Sequence, residues 1–301
     1  MIRQARKKIL ILYCGKELNY ENFCAWIKEM PELEIIAEIA FLFLKNDDGC
    51  DKNYFWEQLS QEIRKQKKFD GFVVIHPLSG LLFVSCALSF LLNDFKPPVI
   101  FTADYDRPDG EKNKFSIKAN LINSVQAATM DFSEVALMFG NRLLRANQAA
   151  RNYVSSLSLF IGPEKSVLGK IDFSIRILKK NLKNIKAPAR FKSRLNDRIE
   201  YVKVLPFFNF DNLRKLKEKD GLFLDGTGQI LSAKNSDFLK KLDLPVLLFN
   251  FQDIESGRNL IAANYLTMEA ALTKFMFVLA QTKKISEINQ LMAANIAGEL
   301  L

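Results

Sequence analysis

Residues 70–103 read DGFVVIHPLSGLLFVSCALSFLLNDFKPPVIFTA, and this stretch decides the fold. Phe72–His76 and Val99–Thr102 are short apolar runs without polar alternation, the composition of strands covered on both faces. Between them Ser79–Phe95 follows a helical period. Its apolar centre, Gly80 to Leu92, carries two serines and a cysteine and is too short to span a bilayer, so a buried helix is predicted. Strand, helix and parallel strand in succession form the unit of a doubly wound α/β sheet.

Working outward, the same strand composition recurs at Lys8–Tyr13, Val135–Phe139, Leu222–Leu224 and Val246–Phe249. Helices are predicted over Tyr54–Lys67, where Phe55, Leu59 and Ile63 fall at i, i+4 and i+8, and over Ala119–Met130. Near the end, Thr267 is placed to cap MEAALTKFMFVLAQ, with Glu269 suitably acidic for its first turn. Apolar runs stop around Lys179–Arg198, where basic residues and Pro188 take over. With 301 residues, about twice the usual single-domain length, the expected organisation is two α/β domains. Their boundaries are read as 1–187 for the larger N-terminal domain, 188–200 for a linker and 201–301 for the smaller C-terminal domain.

Composition narrows the function. Nearly half of the residues are apolar, which suits a well-packed protein. No apolar run is long enough for a membrane helix, and the start, MIRQARKKILILYCG, is better read as a first strand than as a signal peptide. Cys14, Cys24, Cys50 and Cys86 form no CxxC pair, and one histidine leaves no usual zinc set; free thiols in a reducing cytoplasm are expected, with no metal and no cofactor. The net charge is +9, and ten basic residues against two acids lie in Arg176–Lys203. That run reads either as a contact for an acidic partner or RNA, or as a solvated interdomain segment.

Five segments in order resemble the L-asparaginase family, closest to its bacterial cytoplasmic branch. DGFVVIH (70–76) with ALSFLLNDFKPPVIFTA (87–103) is similar to the family's DGFV strand, LSF-type helix and KPVxxTG strand. FGNRLLRANQAAR (139–151) resembles FxNRLxRGNRxTK. LTMEAALTKFMFVLAQ (266–281) and INQLMAANIAGEL (288–300) resemble the terminal MTxEAxLTKLxxLL and LMxxNxxGEL segments. The resemblance implies a larger N-terminal and a smaller C-terminal domain, both with parallel sheets. It also implies intimate dimers, often paired into tetramers, in which the site at the carboxyl ends of the N-domain strands is closed by the neighbour's C-domain.

The resemblance further implies hydrolysis of the asparagine side-chain amide by two threonines, an aspartate and a lysine. A threonine hydroxyl is a weak nucleophile and needs a base and neighbouring charge. In this chain the TGGTI stretch reads Cys14-Gly15-Lys16-Glu17-Leu18, which puts Glu17 at the first nucleophile position. HGTDTM reads His76-Pro77-Leu78-Ser79-Gly80-Leu81, so Leu78 and Ser79 stand for the second threonine and the aspartate. Arg151 stands for the lysine. Arginine cannot shed its proton near neutral pH, and leucine has no hydroxyl. Lys16 adds bulk beside the loop, and Pro77 removes a backbone N–H. Former substrate-binding positions correspond to Asp47 and Asp48, and to Thr102, Ala103 and Asp104 followed by Tyr105. The family's RSDG segment matches KFSI near Asn120-Leu121, or a displaced Arg107-Pro108-Asp109-Gly110. After Ser256-Gly257-Arg258 only Asn259 to Leu266 precedes the helix cap, where the family carries a longer stretch that closes the partner's site.

The expected function is that of a catalytically defective asparaginase homologue, a pseudoenzyme kept for binding, regulation or assembly, as a homodimer or tetramer or with an active paralogue. A second reading is an amidohydrolase with rearranged chemistry, using Ser79 with Glu17 as base, or the carboxylates Asp47, Asp48 and Asp104. A third is a binder of an acidic partner or RNA through Arg176–Lys203. Glu17 and Arg151 are expected to pair across the former pocket, against the alternative that both face solvent. Ser79 is expected to cap the helix that follows it. His76 and Cys14 are read as packed strand-end residues.

Overall fold

The computed structural model describes residues 6–15, 18–44, 52–104, 114–153, 159–171, 174–183, 191–216, 218–254 and 257–301. Eight strands form the larger sheet: β1 (Lys8–Tyr13), β2 (Glu38–Phe43), β3 (Gly71–Pro77), β4 (Val99–Asp104), β5 (Val135–Phe139), β6 (Arg142–Arg145), β9 (Val167–Ile171) and β10 (Ile175–Ile177). Between the last three, β7 (Ala150–Arg151) and β8 (Phe160–Ile161) make a separate two-stranded ribbon. The second sheet holds β11 (Ile199–Lys203), β12 (Gly221–Asp225), β13 (Val246–Phe249) and β14 (Leu260–Ala262), all parallel.

The larger sheet runs β10-β9-β6-β5-β4-β3-β1-β2. Its five strands from β1 to β5 are parallel, and the apolar runs of β1, β3, β4 and β5 suit strands covered on both faces, whereas β6, β9 and β10 extend it antiparallel. The expected doubly wound parallel sheet is present, and an antiparallel edge extends it. RLLR, VLGKI and IRI are too short and too charged to register as buried strands in the sequence. The order reverses between β3 and β1, which places a crevice outside their carboxyl ends.

Alternation in β1 shows how both faces are filled. Leu10 and Leu12 pack with α3 (Asn53–Lys65), α4 (Leu81–Leu91) and α7 (Met268–Gln281); Ile9, Ile11 and Tyr13 pack with α1 (Tyr20–Lys28), α2 (Glu32–Ile36) and α5 (Lys114–Ala128). Helix α6 (Ala233–Lys240) covers one face of the second sheet and α7 the other, so α7 is buried between two sheets. Phe90 of α4 stacks on Phe277 of α7, with ring centroids 5.8 Å apart. The last helix, α8 (Ile285–Ala293), lies against α7.

Helix bounds differ from the sequence reading at the ends. α3 stops at Lys65 rather than Lys67, α4 covers Leu81–Leu91 within Ser79–Phe95, and α5 covers Lys114–Ala128 rather than Ala119–Met130. The expected Ser79 cap is corrected: the capping residue is Gly80, left-handed at φ 73°, and no side chain caps α4. Glycine adopts that conformation without a Cβ penalty, and Ser79 stays exposed one residue earlier. Thr267 does cap α7, accepting the Ala270 N–H at 3.2 Å. Strand β11 opens at Ile199, two residues inside the segment read as linker.

One buried ion pair fixes the C-terminal segment to α7, a second lies at the end of β6, and side-chain hydrogen bonds beside the second reach the C-terminal segment. Lys274 Nζ on α7 meets Glu299 Oε1 at 2.6 Å with both side chains 0% exposed, and it donates to the Met292 and Ala294 carbonyls. Glu299 also accepts the N–H groups of Ile296 and Ala297. Arg145 at the end of β6 pairs with Glu134 (2.6 Å). In the following turn Asn147 Nδ2 and Gln148 Nε2 donate to the carbonyls of Ala297 and Leu300.

Candidate functional site

The crevice is built by the chain leaving β1, β3 and β4 at their carboxyl ends. After β1 the Tyr13 ring is fully buried, 5.1 Å from Phe23 and 5.0 Å from Phe43, and its hydroxyl accepts the Leu18 N–H. A Cβ on Gly15 would lie 2.3 Å from that hydroxyl, so the tyrosine fills the space beneath the first loop. Lys16 and Glu17 lie outside the described residues, and so does the expected Glu17–Arg151 pair. Asp47, Asp48, Tyr105 and Arg107 to Gly110 also lie outside them.

After β3 the turn 78–80 carries Leu78 and Ser79. They share a hollow of about 370 Å³ with Leu82, Phe83, Arg151, Tyr153, Phe160 and Glu269. Leu78, Ser79 and Arg151, three of the four residues that the resemblance singles out, are therefore brought together. Arg151 of β7 pairs across the ribbon with Phe160 of β8, and its guanidinium lies over that ring at 5.5 Å from the centroid. Among the described residues no carboxylate stands within ion-pair distance of it. Tyr153 is 91% exposed at the rim.

Glu269 is the residue the sequence reading misses as a site group, marking it only as a first-turn acid. Burial holds its carboxyl above the usual value of 4.5, partly opposed by a backbone hydrogen bond. Behind it, Cys86 is fully buried, and burial, reinforced by the Glu269 charge, pushes its thiol well up. No local sequence signal marks either effect, because α7 reaches the hollow from the far end of the chain, with the whole second sheet between it and α4 in sequence.

On β4, Thr102 and Ala103 are buried, and Thr102 Oγ1 has no hydrogen-bond partner among the described residues. Asp104 pairs in register with Pro77 at the sheet's carboxyl edge. His76 is buried with Nδ1 2.8 Å from the Pro77 carbonyl, and Cys14 is buried just past β1. No group of His, Cys, Asp or Glu suited to a metal occurs among the described residues. No helix among them is long and apolar enough to cross a membrane.

The described cations of the basic run Arg176–Lys203 stand on several elements, and two of them, Arg176 and Lys180, line one hollow. Arg176 is on β10, while Lys179 and Lys180 sit on a short 3-10 turn. Lys183 is half-buried, which lowers its ammonium pKa, and Arg198 is engaged by Asp220 at 3.6 Å. Lys186 and Arg190 lie outside the described residues.

A parallel sheet with an order reversal, and a hollow at its carboxyl edge, define a doubly wound α/β protein. The family model "Asparaginase, N-terminal" matches residues 13–183, and the chain belongs to that family. L-asparaginase 1 of Escherichia coli K12 is 26% identical over 279 residues, covering 81% of this chain and 79% of the relative. The L-asparaginase of Dirofilaria immitis is 26% identical over 96% of this chain, which spans only 51% of that protein. A glutamyl-tRNA(Gln) amidotransferase subunit of Methanosphaera stadtmanae is 26% identical over 77% of this chain and 59% of the relative. The fold matches the crystal structure of L-asparaginase I from Vibrio cholerae with TM-score 0.82, at 22% identity and over 99% of this chain and 100% of that one.

Proposed function

We propose that this chain is a catalytically defective member of the asparaginase family, kept as a binding, regulatory or assembly protein. The observation that carries the reading is the content of the hollow: Leu78, Ser79 and Arg151 stand together where the family's pattern calls for a threonine, an aspartate and a lysine. Leucine has no hydroxyl, and Arg151 is a permanent cation resting on Phe160. In a catalytic set that acts as a unit, losing one key member costs on the order of 10⁴ to 10⁶ in rate. The likeness to a protein named as part of an amidotransferase supports a role within an assembly. The same reading places the chain in the cytoplasm as a homo-oligomer or as the partner of an active paralogue, with domains at 1–187 and 201–301.

One observation favours a second reading, an amidohydrolase with rearranged chemistry. Exposed Ser79 shares the hollow with Glu269, a carboxyl that burial holds above its usual value and that could take the serine proton. An ammonia-release assay with asparagine and with glutamine separates the two. No release above the protein-free rate is expected. Release at family-like rates sinks the first reading, and release abolished by Ser79→Ala establishes the second.

A further inference from the structure

The antiparallel edge of the larger sheet carries a feature that the amidohydrolase reading does not use. Arg142 of β6 is in register with Lys170 of β9, and Lys170 is in register with Arg176 of β10. Residues directly opposite on antiparallel strands share a face, with Cβ atoms roughly 5 Å apart. Three cations therefore stand side by side across three strands. Like charges placed this way are destabilising. None of the three forms an ion pair among the described residues, and all three are exposed.

The row faces a hollow of about 440 Å³, which Lys180 also lines. Among the described residues Glu164 is the one acid of the lining, and it sits 3.9 Å from Lys180 Nζ. The next row inward along the same strands is Leu143, Gly169 and Ile177, which packs against the core. Alternation thus puts the charged row on the opposite face from that packing. Four cations against one carboxylate leave an excess that a monoanion would not neutralise.

We infer that this hollow is a binding site for a compact oligophosphate carrying at least two adjacent phosphates. Arginine offers paired donors to phosphate oxygens, and lysine a concentrated point charge, so the mixed row suits that anion. The volume lies within the roughly 300–1,000 Å³ typical of small-ligand sites, which favours a compact ligand over an extended chain. The ligand is a free oligophosphate or the triphosphate of a nucleotide.

Calorimetric titration of the full chain with inorganic tripolyphosphate tests the assignment, with orthophosphate and citrate as comparison anions. Tripolyphosphate is expected to bind one to one, at least tenfold more tightly than either. Lys170→Gln and Arg176→Gln are each expected to weaken it tenfold or more, while Lys234→Gln on the second sheet's helix leaves it unchanged. Because the row repels itself, both row variants should melt at or above the parent temperature without ligand; a structural role for these cations would lower it. A nucleoside triphosphate binding more tightly than tripolyphosphate identifies the nucleotide as the source, and equal or weaker binding identifies the free anion. The inference is overturned if tripolyphosphate gives no saturable heat, if citrate or orthophosphate binds as well, or if the row variants leave affinity intact. Binding of an oligoribonucleotide alone, without tripolyphosphate, overturns it too.

Discussion

Glu299→Ala removes the carboxylate that faces Lys274 in a site where both side chains are fully buried. Three acceptors hold the ammonium in the parent chain: Glu299 at 2.6 Å and the carbonyls of Met292 and Ala294 at 2.8 and 2.5 Å. The variant keeps the two carbonyls and loses the countercharge. It also strands the N–H groups of Ile296 and Ala297, which the carboxylate accepts. Breaking a buried pair from one side costs about 3 to 5 kcal/mol. At about 2 °C per kcal/mol for a chain of this size, the melting temperature should fall by roughly 6 to 10 °C. Burial already lowers the Lys274 pKa, against the raising effect of Glu299, so the variant's lysine should titrate lower still. A lysine depressed in the native state binds fewer protons there than in the unfolded chain, so stability rises with pH across that window. The deficit should therefore narrow between pH 7 and pH 9.5. Lys274→Met combined with Glu299→Leu should recover most of the loss, because neither buried charge remains. Calorimetric melting of the parent, Lys274→Met, Glu299→Leu and the double variant closes the cycle, with Glu299→Ala measured beside it. A Glu299→Ala deficit below about 1 kcal/mol, or a double variant as unstable as the sum of the singles, would show that the pair does not hold the C-terminal segment as argued.

Other expectations follow from the hollow and its surroundings. Glu269→Gln should raise the melting temperature at pH 7, because a carboxyl whose pKa is raised above 4.5 is a net cost when ionised; the native state holds its proton longer, stability falls as pH rises through the shifted value, and the advantage should vanish below about pH 4. Cys24, half-buried, should react with iodoacetamide in the native protein, whereas Cys14 and Cys86 should be labelled only after denaturation, as peptide mass spectrometry will read. Arg151→Lys restores one family position of four and should leave asparagine hydrolysis undetectable in the ammonia assay. Thr267→Ala should cost about 1 kcal/mol by loss of the cap to Ala270, measured by urea denaturation.

Four of the five parallel strands of the larger sheet were legible because they are apolar on both faces, whereas β2, opened by Glu38 and only partly buried, was not read as a strand. Helix α7 was legible from Thr267 and its apolar run. The edge strands were not, since Arg142, Lys170 and Arg176 interrupt the pattern and their pairing is set by neighbours distant in the chain. Ser79 was misread because a serine just before a helical run is a common cap, while the glycine after it fits the left-handed turn that the chain adopts. Leu78, Ser79 and Arg151 could be singled out by resemblance, and they line one hollow. Glu269 could not be singled out, because its raised pKa depends on burial under elements far away in sequence.

The segments that resemble the asparaginase pattern divide by what their side chains do. In 139–151, Arg145 pairs with buried Glu134, and Asn147 and Gln148 hold the carbonyls of Ala297 and Leu300. In 266–281, Lys274 is locked to Glu299 of the terminal segment. These matched residues carry buried charge or backbone ties, where a change strands a partner and costs folding free energy. Leu78, Ser79 and Arg151 instead line a hollow with an exposed rim, where a change strands no buried partner. Substitution is therefore cheap to the fold around that hollow and costly at the buried ties.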